Sequence, residues 1–115
     1  MRVINIYRSE SGKYPAKDFL DSLNGKQAQK IVWVLELFEE LSIVPKQYFK
    51  KLKNTNDIWE IRVLFSGDIF RMLGFFESSG NFILTNGFVK KSQKTPQSEI
   101  KTAEDRKRNY CERKK

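Results

Sequence analysis

The sequence predicts an α+β domain, and three features point there: β-branched and aromatic runs with a two-residue period, two consecutive stretches with a helical apolar period, and short polar turns between the last runs. The expected order is β-α-α-β-β-β-α, with two N-terminal helices packed on an antiparallel sheet. At 115 residues the chain has room for one core, so residues 1–115 are expected to form a single domain.

Val3, Ile4, Ile6 and Tyr7, bounded by Ser9, Ser11 and Gly12, mark a first strand over residues 2–8. Pro15 suits the first position of a helix, and Ala16, Phe19, Leu20 and Leu23 continue it as one apolar face to about Leu23. Asn24 and Gly25 break that helix. Asn24 with Gln27 then forms a capping box for a second, which carries Ile31, Val34, Leu35, Phe38 and Leu41 on one stripe and closes before Pro45. From Ile58 to Phe65 the residues alternate, with Trp59, Ile61 and Val63 on the parity assigned to the core and Glu60 and Arg62 on the other. Ser66, Gly67 and Asp68 form a turn, a strand follows from Ile69 to about Glu77, and another from Phe82 to Val89. Strands this close in sequence pair as antiparallel hairpins, because a parallel crossover needs a dozen or more residues. Thr95 and Pro96 start a final basic helix in which Ile100, Ala103 and Tyr110 share a sparse stripe. With two helices on one face, the other face of the sheet is expected to be at least partly free.

Composition removes much of enzymology. Histidine is absent and cysteine occurs once, at Cys111, so no internal disulfide, His-ligated metal or Ser-His and Cys-His dyad can form. The N-terminal residues lack the apolar segment of a signal peptide and no apolar run is long enough to span a bilayer, so a soluble, cytoplasmic protein without a membrane role is expected. The 22 basic and 14 acidic side chains give a net charge of +8. Residues 1–44 hold 6 basic and 6 acidic groups, residues 45–85 hold 6 and 4, and residues 86–115 hold 10 and 4. Such an excess suits a polyanion, whose condensed counterions it displaces.

Arg62 projects from the proposed free face and Arg71 lies at the centre of a strand that is otherwise apolar from Ile69 to Phe76. A charge there must reach solvent or be paired, and Glu60 is the natural cross-strand partner. Lys90 and Lys91 close the last strand, Lys94 follows, and Lys50, Lys51 and Lys53 precede the hairpin; together they outline a phosphate-binding groove. Without histidine, phosphodiester cleavage is open to RNA through its 2′-hydroxyl. Arg62 and Arg71 would stabilise the charged intermediate, and Lys90 or Lys91, their affinity for protons lowered by crowding, would transfer protons, with Glu60 as an alternative base. Asp57, Glu60, Asp68 and Glu77 are scattered over turns and strands, so neither a metal nor another cofactor is expected.

The segments Lys50-Lys51-Leu52-Lys53, Ile58-Trp59-Glu60-Ile61-Arg62, Phe70-Arg71-Met72-Leu73 and, above all, Gly87-Phe88-Val89-Lys90-Lys91-Ser92-Gln93-Lys94-Thr95-Pro96 resemble the phage-derived, HigB-type branch of the RelE/ParE toxin superfamily. The resemblance extends from the first strand to the last helix. It implies a RelE-like microbial RNase fold and the toxin of a type II toxin-antitoxin pair. Such a toxin is a ribosome-dependent, metal-independent endoribonuclease (mRNA interferase) that enters the 30S A site, cuts mRNA and inhibits translation. The implied partner is a HigA-like helix-turn-helix antitoxin, with which it forms a hetero-oligomer. Arg71 matches the superfamily's scissile-phosphate arginine; Lys53 and Arg62, and Lys90 with Lys91, match other cations of the active face. Asn86 replaces a histidine common in relatives, which leaves the acid and base open. ParE-type relatives share the fold and poison gyrase, so a non-catalytic inhibitor of a protein target is the alternative, and a plain RNA-binding module is a third.

Overall fold

The computed structural model describes residues 2–89 and 94–114. Along the chain run β1 (Ile4–Ile6), α1 (Pro15–Asp21), α2 (Gly25–Glu40), β2 (Phe49–Lys51), β3 (Trp59–Phe65), β4 (Asp68–Phe76), β5 (Phe82–Val89) and α3 (Gln97–Arg113). The fold is α+β, with three helices and a five-stranded sheet in the order β1-β5-β4-β3-β2.

Local chemistry sets most of these boundaries. Pro15 opens α1, and the Asn24 side chain accepts from Gln27 N at 2.9 Å while Gln27 Oε1 accepts from Asn24 N at 3.1 Å, the expected capping box of α2. β3 and β4 are joined at Ser66 and Gly67, both at positive φ (51° and 82°), as a two-residue hairpin turn with right-handed twist requires. Gly87 is dictated by packing: a Cβ there would sit 2.5 Å from the Phe19 ring and 2.6 Å from Met72 Sδ, so only glycine lets α1 lie on β5.

Three expectations need correction. The sheet is mixed, because β1 runs parallel to β5 while the other pairs are antiparallel. Hairpin logic governs neighbours in sequence, and β1 meets β5 only after the whole intervening chain, so it placed no constraint on this pair. The Lys50–Lys51 run is part of a strand, β2, paired with Trp59–Ile61. Finally, the second face of the sheet is largely covered. Ile61, Val63, Phe70, Met72, Phe82 and Leu84 pack against Ala16 of α1 and Ile31 and Phe38 of α2. On the other face Leu73, Phe75 and Ile83 pack against Ile100 and Ala103 of α3, with Tyr110 alongside. The sparse stripe of α3 thus finds an apolar face to bury, each large side chain contributing about 1.5–3 kcal/mol.

Candidate phosphate-binding site

The site stands on three adjacent strands. Register sets Arg62 of β3 directly opposite Arg71 of β4, and Lys50 of β2 directly opposite Glu60 of β3. Alternation along β3 puts Glu60 and Arg62 on the same face, so one carboxylate lies among three cations. Arginines facing each other across a strand pair repel, and Glu60 offsets that repulsion. Arg62 Nε lies 3.3 Å from its Oε1 and Arg71 Nη1 3.6 Å from its Oε2. Thr95, just before α3, donates its hydroxyl to Glu60 Oε2 and accepts from Arg71 Nη1 at 3.2 Å.

Glu60 and Arg71 have no exposed surface, whereas the Arg62 side chain keeps 19% of its own. Neither buried group stands on an open face, which overturns the expectation of a free sheet face here; of the two alternatives for Arg71, solvent or pairing with Glu60, the structure shows the pairing. The reason is tertiary: α3 and Thr95 just before it close over the centre of the sheet. Burial draws the Arg71 guanidinium below its ordinary pKa; Glu60 pulls it up and Arg62 pushes it further down. Arginine nonetheless stays charged at neutral pH. A buried ion pair is stable only if both members are compensated. Glu60 is compensated by both arginines and by the Thr95 hydroxyl.

Lys50 is exposed on the same face as Glu60, at the rim of this cluster. Lys51 has the opposite parity, being registered with Trp59, and its Nζ is 2.6 Å from Asp57, whose carboxyl it holds below the usual range. Lys53 is exposed in the connection after β2, and Lys94 is exposed one residue before Thr95. Lys90 and Lys91 lie outside the described residues. The structure thus gathers Lys50, Glu60, Arg62 and Arg71, and does not place Lys51 with them. Trp59 belongs to the α2-side core, stacked on Phe49 with ring centroids 4.6 Å apart, as its parity predicted.

The sequence marks Thr95 only as a helix start, although it lies inside the most distinctive segment of the chain. A second polar network adjoins the cluster. Asn86 Nδ2 donates to Glu99 Oε1 at 3.0 Å, Thr85 Oγ1 is 2.6 Å from Asn86 Oδ1, and Arg106 Nη1 donates to Thr85 O at 2.9 Å. Thr85 is the extra residue of a bulge: Leu73 pairs with Asn86 and Gly74 with Leu84, so strand register shifts between Leu73 and Gly74. The bulge turns Asn86 toward the first turn of α3, where Glu99 holds it. Among the described residues no three His, Cys, Asp or Glu side chains gather in a set able to hold a metal ion.

Among curated proteins none matches the sequence. Residues 18–108, which run from α1 almost to the end of α3 and include every described residue of the charged cluster, match the family model described as phage derived protein Gp49-like (DUF891). The chain is a member of the Gp49-like, phage-derived family.

Proposed function

We propose that this protein is the toxin of a type II toxin-antitoxin pair, of the HigB type with a RelE-like fold, and that it acts in the cytoplasm as a ribosome-dependent mRNA endoribonuclease. The observation that carries the reading is the pair of arginines in direct cross-strand register, joined by one carboxylate and rimmed by Lys50. Membership of the Gp49-like family supports it.

In this scheme the scissile phosphate first meets Arg62, the partly exposed guanidinium. Arg71 completes the grip when a phosphate oxygen takes the place of the Thr95 hydroxyl against it, which the resemblance of Arg71 to the superfamily's phosphate-binding arginine requires. Two cations then stabilise the charge of the pentavalent intermediate formed by the 2′-hydroxyl. Glu60, wholly enclosed between the arginines, fits a positioning role. Proton transfer falls to Lys90 and Lys91, with Lys50, Lys53 and Lys94 supplying backbone contacts to RNA, while Lys51, engaged with Asp57, takes no part. The antitoxin, a helix-turn-helix protein, would neutralise by engaging this cationic surface or by making the toxin too large for the A site.

Purified protein added to translating ribosomes should break mRNA at A-site codons and leave 2′,3′-cyclic phosphate ends. Arg62→Ala should abolish the breaks while leaving the fold intact. Intact message at doses that arrest growth, with a response in DNA supercoiling, would overturn this reading in favour of a gyrase-directed inhibitor.

A further inference from the structure

At the sheet edge beside Arg62, the molecule exposes apolar surface that nothing described so far uses. β2 accompanies β3 only opposite Trp59–Ile61, and its last contact upstream is the Arg62 N–H donated to Tyr48 O at 2.8 Å. Beyond that point the outer edge of β3 has no strand beside it among the described residues. Between this edge, the C-terminal half of α2 and the connection after it runs a groove of about 440 Å³. Its walls include Trp33, Leu41, Tyr48 and Leu64. Trp33 is 54% and Leu64 60% exposed, and Ile43, next to the groove in the connection, is 83% exposed. Contiguous large apolar groups left in water mark an interaction surface.

Charge narrows the occupant. Of the groove's lining residues that carry charge at neutral pH, Arg62 is engaged by Glu60 of the charged cluster, so Lys30 sets the sign of the groove, and no acidic side chain lines it. Lys30 Nζ stands 4.8 Å from the centroid of the Trp33 ring, so one cation is fixed beside the most bulky apolar group. A segment with carboxylates flanking an apolar stripe would satisfy both features at once, whereas a second copy of a chain with net charge +8 would bring repulsion. A trough with a helix on one wall and a strand edge on the other suits a helix, whose i, i+3, i+4 and i+7 side chains form such a stripe.

We infer that this groove docks an amphipathic, acidic helix of a partner protein. Docking depends on the groove alone; because the occupant lies against Arg62, it also bears on the proposed catalytic face if that function holds.

A displayed library of 20-residue amphipathic helices, selected on the full chain, tests the inference. Enriched peptides should carry Leu, Ile or Phe at i, i+3 or i+4, and i+7 with Glu or Asp beside them. Binding should shift tryptophan emission to shorter wavelength, and Trp33→Phe should remove the shift. Leu64→Asp should weaken binding about tenfold or more, as loss of an apolar anchor in the wall does, and Ile43→Asp, beside the groove, should weaken it less. Lys30→Glu should weaken the acidic peptides and favour basic ones. Failure to enrich any helix, enrichment of basic peptides, or unchanged affinity in both Leu64→Asp and Ile43→Asp overturns the inference. So does a dimer in sedimentation that Leu64→Asp dissociates, which would make the occupant a second copy. Ile43→Asp should leave ribosome-dependent cleavage unchanged without peptide, so a failure of docking and a failure of the proposed function are read separately.

Discussion

Glu60 bridges two arginines with one carboxylate, and this fixes how its neighbours respond to substitution. Glu60→Gln keeps the shape but leaves Arg62 and Arg71 facing each other without an anion, one of them wholly buried. We expect a loss of about 3–5 kcal/mol, the usual penalty for stranding a buried charge. Arg71→Met removes one charge and leaves Glu60 paired with Arg62, so its loss should be smaller. In the double variant no buried charge is stranded, and the two losses should fall short of additive by about 1–3 kcal/mol in urea unfolding. Additive losses would show that Glu60 and Arg71 act independently. Strand parity revealed the faces of Glu60 and Arg62, and Glu60 stood out as the ion-pair partner of Arg71. Parity could not reveal the burial of Glu60 and Arg71, because the covering group, Thr95, comes from 35 residues beyond Glu60. Alternation reports which way a side chain points and is silent about what arrives from elsewhere.

Elements with their own chemical signals were legible, and those formed by distant pairing were not. α2 announced itself through Asn24 and Gln27, and β5 through its bounded run from Phe82 to Val89. β2 gave no such sign: Phe-Lys-Lys is three residues long and becomes a strand because β3 lies beside it. The pairing of β1 with β5 is likewise tertiary. α3 is intermediate, since its stripe of Ile100, Ala103 and Tyr110 was visible while its destination was not. Tyr110 anchors the far end of that helix by donating to Glu77 Oε2 at 2.7 Å. Burial, and then this bond, raise its pKa from 10.0 to about 12. A raised pKa means that folding favours the protonated phenol. The stability it confers is therefore complete below pH 10 and lost as pH rises toward about 12. Tyr110→Phe should cost about 1–2 kcal/mol at pH 8, and the gap from the parent should narrow steadily between pH 10 and 12. A gap that stays constant across denaturation series at these pH values would separate Tyr110 from Glu77.

At the scale of the molecule, the two covered faces of the sheet leave binding to rims and edges. No helix among the described residues is long and apolar enough to cross a membrane. Under the proposed function, the net charge of +8 would make attraction to RNA general and the register would make it directional. Lys50 and Lys51 are sequence neighbours of the same type, and composition alone treats them as equivalent. The sheet separates them: Lys50 shares the face of Glu60 and Arg62, while Lys51 has the opposite parity and is engaged with Asp57. A lysine that meets a phosphate releases a counterion on binding, and each such contact on a single strand steepens the dependence of log affinity on log salt by about 0.7. Lys50→Ala should therefore flatten that slope by about 0.7 on an RNA blocked at the 2′ position so that it cannot be cut. Lys51→Ala should change it much less, because its charge is already offset by a carboxylate. Titrations from low to moderate salt measure both slopes. Equal flattening by the two substitutions would mean that RNA senses only the summed charge of β2, and the strand register would then play no part in directing it to the arginine pair.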